Sequence, residues 1–256
     1  MDSEFRSAKI EERSDRATAY NKGELIAIVT LTSPQFALSL HTSSPELGLA
    51  IADASGQTRC QTWDLGRDLS VRLHSQLVEF IRPQTWQDLQ YLVVAKGPGS
   101  FTGTRIGVVT ARTLAQQLDI PLFAVSTLEA IAWDLLTPKS GLDSSESEHG
   151  AIATHPPKRI AVQMRAQRGQ LYVALFLPPA SPDLGLSAEL PDTVMSPQEW
   201  DRYLDRLPHP YRRAIAPDAL GSTASAMLGI ARQQWLAGKR PHWSAALPFY
   251  GQHPVD

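Results

Sequence analysis

A glycine-rich turn set between an apolar run and a helical stretch does most to limit what this chain can fold into. Tyr91, Leu92, Val93, Val94 and Ala95 form an unbroken apolar run, the pattern of a parallel-sheet strand buried on both faces. It leads into Lys96-Gly97-Pro98-Gly99-Ser100-Phe101-Thr102-Gly103-Thr104-Arg105-Ile106-Gly107. A helical stretch over residues 104–118 follows, closed by Asp119, Ile120 and Pro121. Strand, glycine-rich turn and helix in this order aim backbone N–H groups and a helix dipole at an anion. A second pattern competes with that reading. Gly103, Gly107, Ala111 and Ala115 recur every four residues, so one stripe of the helix carries almost no side chain and another backbone can approach it closely. The choice is between a loop that binds a ligand and a helix that binds a partner.

The phosphate-binding fingerprints fail in detail. A P-loop needs Gly-Lys-Ser/Thr, whereas Thr104 and Arg105 follow Gly103. The dinucleotide motif is one residue shorter than Gly97-x-Gly99-x-x-x-Gly103. Ser100 does not match the Gly-x-Ser-x-Gly nucleophile motif, and it reads as an N-cap or turn residue. No two of His41, His74, His149, His155, His209, His242 and His253 have the helical spacing of a zinc pair. Catalytic, cofactor and metal sets are therefore expected to be absent.

The chain of 256 residues, 43% hydrophobic and 20% charged, suits one large α/β domain or two lobes. A net charge of −2 excludes a global field for nucleic acid. One cysteine, Cys60, excludes an intrachain disulfide framework and fits a reducing, cytoplasmic compartment. No apolar run approaches the ~20 residues that span a bilayer. Residues 1–34 read as a disordered N-terminal extension. Residues 35–136 read as a first lobe: three antiparallel strands (36–40, 47–52, 58–64), a helix with Leu69, Leu73, Leu77 and Phe80 on one face, the strand at 91–95, the striped helix, a strand at 122–125 and a helix capped by Ser126 and Glu129. Residues 137–158 turn to Ser, Gly, Pro, Glu and His, the composition of a linker or mobile loop. Residues 159–256 read as a second lobe with a hairpin (160–164, 171–177), a helix starting at Ser196-Pro197-Gln198-Glu199 and another over 223–236. Its C-terminal segment is free to pack back on the first lobe.

Gly97-Pro98-Gly99-Ser100-Phe101-Thr102-Gly103-x-Arg105-Ile106-Gly107, then Leu114-Ala115 and Val125-Ser126-Thr127-Leu128, closely resembles the TsaB (YeaZ) family. Its members are dimerisation subunits of the bacterial complex that makes threonylcarbamoyladenosine in tRNA. The resemblance covers most of residues 35–255 and is strongest over 91–132. It implies the two-lobed actin/hexokinase-like (ASKHA) fold, each lobe a mixed sheet with helices. It also implies a non-catalytic platform that binds the TsaD-type threonylcarbamoyltransferase, with a TsaE-type ATPase joining the complex and tRNA reached indirectly. The chain departs from the family at two turns. An acidic residue usually ends the first strand, where His41 stands here, and another opens the second lobe, where Arg165 stands. Loss of both carboxylates disfavours magnesium–nucleotide chemistry; the one place left for a nucleotide is the interface with the partner.

On this resemblance Leu73, Leu77, Gly103, Arg105, Gly107, Ala111 and Ala115 are expected to face a partner helix, and in the partner's absence the same helices are expected to form a homodimer. The competing reading of the stripe is a contact inside the lobe, against the sheet. The rival function is an ASKHA-type nucleotide-binding enzyme or glycoprotease-like hydrolase with a ligand at residues 97–103. A third is direct tRNA binding by Arg202, Arg206, Arg212 and Arg213, for which a solvated basic face is the plainer meaning.

Overall fold

A computed structural model of the protein describes residues 35–136, 158–179, 185–208 and 210–251. The expected extension (1–34) and nearly all of the expected linker lie outside these residues. Every element below belongs to the unit Phe36–Asp256.

The first sheet has strands β1 (Phe36–His41), β2 (Glu46–Ala52), β3 (Thr58–Asp64), β4 (Leu89–Ala95) and β5 (Leu122–Val125), in the order β3-β2-β1-β4-β5. β1, β2 and β3 pair antiparallel, while β4 and β5 run parallel to β1. The period of two along each strand sorts side chains by size. Leu38, Leu40, Leu47, Leu49, Ile51, Leu92 and Val94 point to one face. There they meet helices α1 (Leu69–Phe80) and α2 (Phe101–Leu118). Each such fully buried leucine contributes about 2 kcal/mol of apolar transfer. Ala37, Ser39, Ala50 and Ala52 lie on the other face, and these short side chains let a helix come close. That helix comes from far along the chain: it is α5 (Ala224–Leu236), whose Ala224 carbonyl accepts the Ser39 hydroxyl at 2.7 Å.

The second sheet repeats the plan with β6 (Ile160–Arg165), β7 (Leu171–Leu177), β8 (Ser187–Met195) and β9 (Arg212–Ile215), in the order β8-β7-β6-β9. β6 pairs antiparallel with β7 and parallel with β9, as β1 does with β2 and β4. One face (Ile160, Val162, Met164, Ala174, Phe176) packs on α3 (Thr127–Leu136) through Leu128 and Ile131. The other (Ala161, Val173, Leu175) packs on α4 (Pro197–Leu204) through Trp200 and Leu204.

Packing does not respect a boundary between residues 136 and 159. α3, expected in the first lobe, supplies the core of the second sheet, and α5, expected in the second lobe, covers the first. The two helices also pack on each other, with Gly229 of α5 directly against the Trp133 indole of α3. The reason is apolar demand. α3 carries Leu128, Ile131 and Ala132 toward one sheet and Ala130 toward the other cluster, so it is buried on two sides. Residues 241–249 return along the first lobe, where the Leu122 N–H donates to the Pro241 carbonyl at 3.2 Å and the Phe249 N–H to the Lys96 carbonyl at 2.7 Å.

Candidate functional site

The glycine-rich turn closes on its own protein. Ser100 caps α2, its hydroxyl accepting the Gly103 N–H at 3.2 Å. Its own N–H donates to the Ser43 carbonyl at 2.7 Å, and the Thr104 hydroxyl donates to that of Ser43 at 3.1 Å. The turn between β1 and β2 thus occupies the loop where an anion was one possibility. The small stripe packs there as well. A side chain at Gly103 would strike the Thr42 carbonyl, and one at Gly107 the Thr42 hydroxyl. Ala111 and Ala115 continue the contact into the core beside Leu38 and Leu92.

This corrects the expected partner interface. Leu73, Leu77, Gly103, Gly107, Ala111 and Ala115 are all buried within the lobe rather than on its surface. The reading of the stripe as an internal contact prevails, because the β1–β2 turn needs room beneath α2 that only glycine leaves. Arg105 alone of the seven is exposed, and it is engaged: its Nε donates to the Tyr250 hydroxyl at 2.8 Å and its guanidinium lies 3.9 Å from the Phe101 ring centre.

The outward side of the same helices is different. Val71 is 79% exposed and Val78, two turns along α1, 49%; Val109 on the neighbouring α2 is 61% exposed. Valine off the core face of an amphipathic helix was a legible signal, but the core-facing leucines and the stripe drew the sequence reading inward.

Between the lobes lies a cleft of about 440 Å³. Its first wall is Ser43, Ser44, Ser100, Phe101 and Thr104, its second Arg165, Gln167, Tyr172 and Asp218, and Phe249 and Tyr250 lie across it. His41 is not on its surface. It is completely buried, neither ring nitrogen has a partner, and burial lowers its pKa to about 4, so the ring is neutral near pH 7. Arg165 does line the cleft, as a cation where a metal-organising group would be acidic. Among the described lining residues Asp218 is the one carboxylate. Among the described residues no three His, Cys, Asp or Glu side chains come together as a metal site. No helix among them is long and apolar enough to cross a membrane.

The basic cluster is partly tied down. Arg213 donates to Gln163 at 2.7 Å and to Asp201 at 3.0 Å, Arg212 to the Leu135 carbonyl at 3.3 Å and Arg202 to the Gln198 carbonyl at 3.2 Å. Cys60 is exposed on the edge strand β3.

Two mixed-sheet lobes of matching topology, joined by helices and parted by a cleft, define the α/β fold of this chain. Two solved structures share it. "An uncharacterized protein with similarity to peptidase YEAZ" from Pseudomonas aeruginosa superposes with a TM-score of 0.66 at 19% identity, covering 85% of this chain and 100% of its own. YeaZ from Pseudomonas aeruginosa superposes with a TM-score of 0.64 at 20% identity, covering 84% and 99%. At these identities the likeness is one of fold. In sequence, residues 80–174 match the family of TsaD, tRNA N6-adenosine threonylcarbamoyltransferase. The tRNA threonylcarbamoyladenosine biosynthesis protein TsaB of Bacillus subtilis (strain 168) is 37% identical over 143 residues, 54% of each chain. That of Escherichia coli (strain K12) is 32% identical over 89 residues, 35% of this chain and 32% of its own. Over these segments the chain is similar to TsaB proteins. The chain spans about half the length of the Bacillus relative and a third of the Escherichia one, so the likeness is to a shared segment.

Proposed function

We propose that this chain is a non-catalytic scaffold subunit in the biosynthesis of threonylcarbamoyladenosine in tRNA. It binds a TsaD-type threonylcarbamoyltransferase through the outward faces of α1 and α2, around Val71, Val78 and Val109. A TsaE-type ATPase joins through the assembled complex, tRNA is contacted indirectly, and the same helices pair two copies when the partner is absent. The compartment is the cytoplasm. The observation that carries the reading is the exposure of Val71 and Val78 on α1 and of Val109 on α2. His41 is buried and neutral, and Arg165 lines the cleft, at the two positions where the resemblance implies carboxylates. On this reading the chain's contribution is to fix the partner's geometry.

Reconstitution tests this. Purified TsaD- and TsaE-type subunits, threonylcarbamoyl donor and tRNA should modify adenosine only when this protein is added. Alone, it should modify none and should not hydrolyse ATP. Modification by the chain without the transferase, or full activity of the other components without the chain, contradicts the scaffold role.

A further inference from the structure

Away from the cleft and the helix faces, two carboxylates converge where the lobes meet. β8 is bulged at Pro191 and Asp192: Thr193 pairs with Val173 and Leu190 with Leu175, which leaves two residues opposite one. Bulges re-aim a side chain. Here the result is that Asp192 accepts the Ser126 hydroxyl at 2.8 Å. Ser126 also accepts the N–H groups of Leu128 and Glu129 at 3.1 and 3.3 Å, at the start of α3. The Ser126 backbone N–H favours the charged form of the Glu129 carboxylate. One first turn of helix therefore holds a carboxylate from its own chain segment and a second delivered from the edge strand of the other sheet.

The groups facing Glu129 are few. Lys96, at the end of β4, and Lys239, beyond α5, attract its charge, and Asp192 repels it. Lys96 also attracts Asp192. Burial outweighs these attractions and lifts the Glu129 carboxyl to about 7; burial raises Asp192 as well. The closed contact accordingly holds a proton that an opened, hydrated Glu129 would release.

We propose that Lys96, Ser126, Glu129 and Asp192 form a proton-sensitive latch that ties β8 to the start of α3. With Glu129 neutral, Asp192 carries the only negative charge at the start of α3, and the contact is closed. When Glu129 ionises, two carboxylates face each other with Lys96 shared between them, and β8 is loosened from α3. The sign follows from linkage: the protonated contact is favoured in full below about 4.5, the ordinary value for glutamate, and the advantage is lost as pH rises through about 7. The latch adjoins the chain that crosses the cleft, since the Lys96 carbonyl accepts the Phe249 N–H and Gly251 packs on Val194 of β8.

Hydrogen exchange of the amides in the first turn of α3 and of residues 192–194 in the whole protein, corrected for intrinsic rates, reads the latch directly. Exchange should rise about tenfold per pH unit near the midpoint and level off on the order of a hundredfold. Glu129→Gln should flatten the profile. Asp192→Asn should lower the midpoint and Lys96→Met should raise it, and these opposed shifts carry the test even if the glutamine variant folds poorly. A wild-type rise that persists in Glu129→Gln, or midpoints that do not move in opposite directions, overturns the proposal.

Discussion

The two sheets share a plan but treat their first turn differently. In the first lobe, β1 runs into a turn of Thr42, Ser43 and Ser44, all buried, and the turn is pressed under α2 where Gly103 and Gly107 make room. In the second, the corresponding β6 ends in Arg165, which stands exposed at the cleft. One topology thus yields a rigid, close-packed turn on one side and an open, charged one on the other. Close packing fixes the inward side of α2 and leaves its outward side free. A residue pattern that looked like a partner surface turns out to be what makes the lobe itself possible.

Substitution at the packed turn should give the largest effect. Gly107→Val should cost about 3 kcal/mol or more by overpacking against Thr42, seen as a large fall in Tm. A normal melt would mean the first turn is no tighter than the second. For the same reason, loss of partner binding in a Gly107 variant would report lost folding. The second lobe's own anchor comes next. Gln163 accepts the Trp200 indole N–H at 2.9 Å and Arg213 at 2.7 Å, so Gln163→Leu should cost about 2 kcal/mol in denaturant titrations.

A smaller change should go the other way. His41→Leu removes two unpartnered buried nitrogens and should stabilise the protein by about 1 kcal/mol at pH 7. It should also remove an acid-sensitive component. The unfolded chain takes up the His41 proton near 6.5 and the folded one only near 4. Wild type therefore loses stability relative to the variant as pH falls through that window, to on the order of 3 kcal/mol. A wild-type–variant difference that does not change with pH would show that His41 finds a partner. Asp201→Ala at the exposed Arg213 pair should change stability by only about 0.5 kcal/mol; a larger loss would mark the second lobe's surface as more organised than its exposure indicates.

Much of this was legible in the sequence. β3 and β5, the hairpin of β6 and β7, the capping box at Ser196 and the Ser100 cap followed from alternation and local hydrogen bonding, which neighbours in sequence determine. β8 was missed because Pro191 and the bulge break its alternation, and β9 because Arg212 and Arg213 in a four-residue strand read as a basic surface. The site was harder. Small residues every four positions serve a helix partner or a strand turn equally well, and only the long-range approach of Thr42 decides between them. Asp192 reaches Ser126 across 66 residues, a meeting no local pattern announces.

α2 uses its inward side for the fold, and on the proposed reading α1 and α2 use their outward sides for a partner. Light scattering on a mixture with the TsaD-type subunit tests it most directly, with wild type beside Val71→Glu combined with Val109→Glu. The account predicts a one-to-one complex for wild type, and an unchanged Tm with no complex for the double variant. A double variant that still forms the complex, or a wild type that forms none, would contradict it.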